Sequence, residues 1–273
     1  MKKQKKSHLV LAIVIFLIIL YILIIGMEII KRKEEKTKTF ANNKNFSTSN
    51  TVATVSDAIT EKSSSNSVAT NTNAYKKPFP RKYDISMNHL YQLPELPSGC
   101  EAVSLTMLLN YYGYSITKTE LVDKYLVYSY DYVTGFCGDP YSSYVGGGCF
   151  APGMVSTANA YLSDVNSTKV AKDITGTDFS ELIKYVSEDT PVLVWTTIGL
   201  SPSEKSYEAT EYNGNTYYWD YMEHCVVLAG YDLDNKTVTV YDPIDGIVTR
   251  DYDTFEEIYN QMYKMAIILE DAN

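Results

Sequence analysis

Apolar and polar positions divide this 273-residue chain into three unlike stretches. From Leu9 to Met27 the residues are uncharged and mostly apolar, with Lys2, Lys3, Lys5 and Lys6 before them and Lys31, Arg32 and Lys33 after. That run is long enough to cross a bilayer as one helix and too long for a signal-peptide core, and no small-x-small cleavage site follows it. Residues 37–78 then lose their large apolar side chains. Asn42-Asn-Lys-Asn-Phe-Ser-Thr-Ser-Asn and Ser63-Ser-Ser-Asn-Ser have the composition of a disordered linker. Apolar residues return at Pro78-Phe-Pro80, where a folded domain is expected to begin.

Within that domain the apolar period changes from helical to strand-like. Pro94 and Pro97 hold Tyr91–Pro97 extended, Ser98-Gly99 turns, and Ala102, Leu105 and Leu109 then share one helical stripe. The helix is expected from Cys100 to about Tyr112, ended by Gly113. Thr117-Lys-Thr-Glu120 is a capping box opening a second helix through Tyr125. Residues 152–162 and Asp178–Ser187 also read as helices. From Pro191 to Thr197 the run is continuous and β-branched, as in a buried strand. Residues 201–217 are polar and tyrosine-rich and read as an excursion over the site. Two strands follow, His224–Tyr231 and Lys236–Asp242, joined by the turn chemistry of Asp232-Leu-Asp-Asn235. Asp253-Thr-Phe-Glu256 is expected to cap a late helix, and Met265–Glu270 a closing strand. Helices first and hairpin-linked strands later predict an α+β domain, its N-terminal helices packed on an antiparallel sheet.

The chain therefore divides into residues 1–36, a membrane anchor with basic flanks; 37–78, a linker; and 79–273, the domain. Both flanks of the anchor are basic, so the positive-inside rule leaves orientation open. The Ser/Thr/Asn-rich stretch reads as a surface stalk, which favours a single-pass protein of the cell membrane with its domain outside. Residues 1–36 hold 8 of the 24 basic and 3 of the 33 acidic residues, so the remainder has a net charge of −14. Such a domain is a poor nucleic-acid binder. None of the four cysteines, Cys100, Cys137, Cys149 and Cys225, forms a Cys-x-x-Cys pair, so no structural zinc site is expected. Cys137 and Cys149 bracket a glycine-rich loop and are read either as a disulfide or as two free thiols. That loop lacks the Gly-Lys-Ser/Thr of a phosphate cradle. Asp232-Leu-Asp-Asn235 lacks the glutamate that would close a calcium loop. No cofactor or metal is expected.

The candidate chemistry starts at Cys100. A cysteine at a helix N-terminus meets unpaired N–H groups and the positive end of the helix dipole, which favour a thiolate nucleophile. The Cys100 N–H and the Gln92 side-chain amide could hold an oxyanion beside it. Besides His8 in the anchor flank, the chain has two histidines, His89 and His224. His224 opens a strong strand, as a rigidly held base requires, whereas no strand follows His89. Asp242 ends the paired strand, and a hairpin turning at Asp234-Asn235 returns it beside His224, given room for a bulge or a slightly longer loop. It would fix the imidazole tautomer, with Asp245 as the fallback. Cys225 points to the other face of the strand and reads as core.

Gln92, Leu96-Pro-Ser-Gly-Cys-Glu-Ala102 and Leu108-Leu-Asn-Tyr-Tyr-Gly113 together resemble the opening of the peptidase C39-like family. These are stand-alone papain-like cysteine peptidase domains of bacterial cell surfaces. The resemblance covers roughly residues 80–270 and implies a papain-like fold with a peptide or protein substrate. His224 and Asp242 match the family pattern of His on one strand and Asp or Asn on the next. The Gly138-Asp-Pro140 to Ala151-Pro152 stretch matches a wall of the cleft. C39 peptidases proper trim leader peptides within export transporters; this chain has one span and no Walker motif, so that role is not carried over. The resemblance implies a membrane-anchored cysteine peptidase or amidase using Cys100, His224, Asp242 and Gln92. Two other readings stay open: a catalytically silent peptide-binding module, and an acyl transferase with the same triad.

Overall fold

The computed structural model describes residues 79–272. The apolar run Leu9–Met27 and the linker at 37–78 lie outside these residues. Among the described residues, no helix is long and apolar enough to cross a membrane.

Strand β1 spans Lys82–Asp84. The chain then turns at residues 93–95 and again at 97–98, where the Leu96 N–H reaches back to the Gln92 carbonyl, instead of running extended through Tyr91–Pro97 as expected, and enters helix α1, Cys100–Tyr111. Helix α1 is buried on all sides from Cys100 to Leu109. It therefore needs partners for its polar residues as well as apolar packing. Ser104 Oγ donates to the Cys225 carbonyl at 2.8 Å, and Thr106 Oγ1 to the Ala102 carbonyl at 2.7 Å. Gly113, at φ +89°, follows the helix as expected. Helix α2, Lys118–Tyr125, opens on the predicted cap, with Glu120 N–H donating to Thr117 Oγ1 at 3.1 Å.

The glycine-rich loop carries a two-residue ladder, β2 (Cys137–Gly138) against β3 (Gly147–Gly148). All four cysteines are free; the Cys137 thiol faces the Tyr130 carbonyl and the Cys149 thiol the Phe150 carbonyl. Of the two readings left open for that pair, the structure has the free thiols. Helix α3 (Ala151–Asp164), strand β4 (Lys169–Asp173) and helix α4 (Phe179–Ser187) follow. In α4 the apolar stripe Phe179, Leu182, Ile183 and Val186 is buried, at helical spacing.

Strand β5 is Val192–Thr197, buried throughout. The tyrosine-rich excursion is a hairpin of its own, β6 (Lys205–Tyr212) and β7 (Asn215–Asp220), outside the main sheet. Its turn is Asn213-Gly214, both at positive φ (49° and 78°), the signature of a tight two-residue hairpin turn. Strand β8 (Glu223–Asp232), β9 (Thr237–Asp242) and β10 (Gly246–Asp251) form the next three strands. Helix α5 is Tyr252–Gln261, and β11 is Ala266–Asp271. The cap of α5 is Asp251, whose Oδ1 accepts Thr254 N–H at 2.8 Å, two residues before the expected Asp253.

The main sheet runs β10-β9-β8-β5-β11-β4, with β1 beside the far end of β8, and every pairing is antiparallel. All ten residues of β8 are buried, so both faces of the sheet centre are covered, by α1 and α4 among others. The β8–β9 register shifts between Leu228 and Gly230. That irregularity is the bulge the hairpin needed, and it brings the end of β9 back toward the start of β8.

Candidate active site

Cys100 is the first residue of α1, after a Gly99 that supplies no side-chain cap. The approach is tightly held. Leu96 N–H bonds the Gln92 carbonyl, Gly99 N–H bonds the Leu96 carbonyl, and a Cβ at Gly99 would lie 2.9 Å from Leu96 Cβ. Cys100 is 8 % exposed as a residue, and its thiol donates to Glu101 Oε2 at 3.3 Å. The Cys225 backbone N–H also faces the sulfur, so Cys100 sits against β8 one residue past His224.

His224 and Asp242 are joined as the hairpin argument required. The His224 Nε2 to Asp242 Oδ1 distance is 2.7 Å, and both side chains are buried. A carboxylate on Nε2 selects the tautomer that carries its proton there and leaves the Nδ1 lone pair open. His224 Nδ1 is buried and has no hydrogen-bond partner. Asp242 also accepts Ile244 N–H at 2.8 Å and Asp245 N–H at 3.3 Å, with Arg250 Nη2 3.6 Å from its Oδ2. Burial alone would raise its pKa; the His224 bond and charge and the two N–H bonds outweigh that and hold it down to about 2.

The other predicted residues are placed as follows. Gln92 is buried, with Nε2 donating to the Pro97 carbonyl at 2.8 Å. Its second N–H remains available, and its Oε1 has no partner. His89 is not on the thiol; its Nε2 bonds the Asp242 backbone carbonyl at 2.7 Å, behind the aspartate. Asp245, the fallback orienter, pairs with Arg250 instead. Cys225 is fully buried, as expected of core. No hydrogen bond joins Cys100 to His224 or to Gln92; the thiol is turned to Glu101.

That turn changes the electrostatics predicted from the helix start. Burial pushes the Cys100 thiol well above its ordinary value, and Glu101, Glu223 and Cys225 push the same way; the Cys225 N–H alone opposes them. The lowering expected from the helix N-terminus is therefore overturned, because desolvation and two neighbouring carboxyls exceed what a helix end supplies. Burial likewise raises Glu101, to about 7, against its own backbone N–H and that of Cys149, which reaches Oε1 at 2.6 Å. Glu223 is raised further, by burial first and then by Glu101 and Asp220, with Lys205 opposing.

Glu101 and Glu223 escaped the sequence reading, although each adjoins a singled-out residue. An acid inside an otherwise apolar segment was the available signal, for Glu101 precedes Ala102-Val103 and Glu223 precedes Cys225-Val-Val-Leu228. A cavity of about 310 Å³ was equally hidden; it is lined by Tyr132, Gly147, Gly148, Glu208, Trp219 and Tyr221, among others. It abuts the nucleophile region through Gly148, where a Cβ would lie 2.1 Å from the Trp219 ring and 2.7 Å from Glu101 Oε1.

Known proteins share this arrangement of chain. The uncharacterized protein YvpB of Bacillus subtilis (strain 168) is 31% identical over 211 residues, covering 74% of this chain and 81% of that protein. The crystal structure of a Bacillus anthracis protein described as a C39-like peptidase is 30% identical. It superposes with a TM-score of 0.61 and covers 70% of this chain and 98% of its own. The model of the peptidase C39-like family matches residues 84–267, from the end of β1 into β11, and this chain belongs to that family.

Proposed function

We propose that the domain is a cysteine peptidase or amidase in which Cys100 attacks an amide carbonyl, His224 is the base and Asp242 orients it. The observation that carries this reading is the His224–Asp242 bond at 2.7 Å, which leaves a buried, unpartnered Nδ1 one residue from the N–H that faces the thiol. The reaction starts when the thiol turns from Glu101 toward Nδ1 and gives up its proton there, relieving the high pKa it has beside two carboxyls. The thiolate adds to the carbonyl. The oxyanion takes the Cys100 N–H and the free N–H of Gln92 Nε2, and the imidazolium returns its proton to the leaving amine. Water then hydrolyses the thioester by the same base. The cavity lined by Tyr132, Trp219 and Tyr221, beside Gly148, offers room for a peptide side chain. The apolar run at Leu9–Met27 anchors the chain in the cell membrane, with the domain outside.

The test is site-resolved labelling with a thiol-directed covalent probe, paired with peptide turnover. Labelling at position 100 and cleavage are both expected in the wild type and both lost in Cys100→Ala. Equal turnover in the two would remove Cys100 as nucleophile. The raised thiol pKa favours a second reading, a peptide-binding module without turnover. Peptide binding unchanged in Cys100→Ala, with no cleavage by wild type under reducing conditions, is its signature.

A further inference from the structure

Three groups that can each carry negative charge converge at the start of α1. Cys100 Sγ, a Glu101 carboxylate oxygen and a Glu223 carboxylate oxygen all lie within 4.8 Å of one another, and all three residues are buried. Glu101 is aimed, because the Cys149 N–H holds its Oε1 and leaves Oε2 to the sulfur. Glu223 is 7 % exposed, and its Oε1 has no hydrogen-bond partner. Among the described residues, neither carboxyl pairs with a Lys, Arg or His; Lys205, the cation that influences Glu223, gives its Nζ to Asp220 at 3.1 Å. Burying a carboxyl oxygen without a partner is costly, and burying two beside a thiol with no counter-charge is more so.

We propose that Cys100, Glu101 and Glu223 form a binding site for a divalent transition ion of the zinc class, which withholds the thiol from His224. A thiolate with two carboxylates excludes magnesium and calcium, which take oxygen shells, and suits zinc or cobalt. A tetrahedral ion with zinc-like bond lengths sets its ligand atoms about 3.5 Å apart. The Cys100–Glu101 pair, at 3.3 Å, already has that spacing, and Glu223 must close by no more than about 1.3 Å. The Cys149 N–H on the far oxygen of Glu101 orients that ligand. Three protein ligands leave the fourth position for water. On binding, the thiol loses its proton to solvent as the metal–sulfur bond forms, and any proton held on the carboxyls leaves with it. The site shares Cys100 with the proposed peptidase but does not require turnover; filled, it is an off state.

The full chain, stripped with a chelator, is titrated with Co²⁺, whose bond to a thiolate gives a near-ultraviolet charge-transfer band. One ion per chain, displaced by Zn²⁺, is expected. Glu223→Gln and Glu101→Gln keep side-chain shape and are each expected to weaken binding at least tenfold. A second measurement needs no variant. Zn²⁺ is expected to slow alkylation of Cys100 at least tenfold and to leave Cys137, outside the cluster, unchanged. No saturable Co²⁺ binding, a band that survives both amide variants, or no protection of Cys100 overturns the site. Metal-free wild type that cleaves peptide yet takes up no Co²⁺ sinks the metal site alone. A Co²⁺ band in a chain that never labels or cleaves when metal-free sinks the peptidase reading alone.

Discussion

Asp242 is held by His224 on one side and by the backbone of its own turn on the other, and these ties separate its two effects. The orienting part proposed for it needs only an acceptor at Oδ1. Asp242→Ala is therefore expected to lower kcat at least a hundredfold, whereas Asp242→Asn, which keeps a carbonyl oxygen there, retains most of it. Steady-state kinetics on the pair checks this; equal loss in both would mean that charge, not orientation, is what the base requires. Its effect on stability does need charge. The folded pKa, about 2, lies below the ordinary 3.8, so the carboxylate stabilises the fold above about pH 4, and that contribution fades as pH falls toward 2. The contribution is roughly 2 kcal/mol when fully present. Denaturant unfolding should show wild type ahead of Asp242→Asn by that order at pH 6, with the gap closing near pH 2. Gln92 is the proposed side-chain donor to the oxyanion. Gln92→Ala is expected to cost about 10²–10³ in kcat with little change in KM, as loss of one oxyanion donor does. A change confined to KM would make Gln92 a structural residue only.

Among the elements, the β2–β3 ladder depends on a glycine pair for space more than for backbone freedom. Gly148 lacks the positive φ of Gly147, but a methyl there meets the Trp219 ring and Glu101. Gly148→Ala is expected to fold with a loss of about 1–3 kcal/mol, as overpacked sites do, and to shift Trp219 fluorescence. Unchanged stability and fluorescence would show that the wall between cavity and nucleophile yields freely. This wall also marks where sequence reading stops. The helices and the β8–β9 hairpin were legible because their signals are local: a cap at Thr117, stripes at helical spacing, turn residues at Asp232–Asn235. The hairpin β6–β7 was read only as an excursion at residues 201–217: its exposed tyrosines hid the alternation, although Asn213-Gly214 carries the turn signal. Strands β1, β4 and β10 are short or edge-lying, and β4 and β10 mix charged with apolar residues, so periodicity does not set them apart. At the site, His224 and Asp242 followed from hairpin geometry. The turn of the thiol to Glu101 did not, because Glu101 is held by the Cys149 N–H, far along the chain and brought close only by packing.

At the scale of the whole molecule, the proposed membrane attachment can be assigned to one part of the chain. Residues 37–273 carry a net charge of −14, so repulsion from an anionic lipid surface works against attachment through the domain. The proposed source of stable association is therefore the apolar run at Leu9–Met27. The buried core begins at Ile85, and β1 is already hydrogen-bonded to β8 at Lys82. Deleting residues 1–36 removes no strand, helix or buried residue of the described domain. The shortened chain is expected to leave the membrane fraction for the soluble one while its unfolding midpoint stays within about 1 °C of the full chain's, since about 1 kcal/mol would move a domain of this size by 2–4 °C. Fractionation of cells with thermal denaturation of the product measures both. Continued membrane association after the deletion would place the attachment on the domain surface, where Tyr130, Tyr144 and Tyr207 are almost wholly exposed. A fall in the midpoint would mean that the anchor segment packs on the domain it carries.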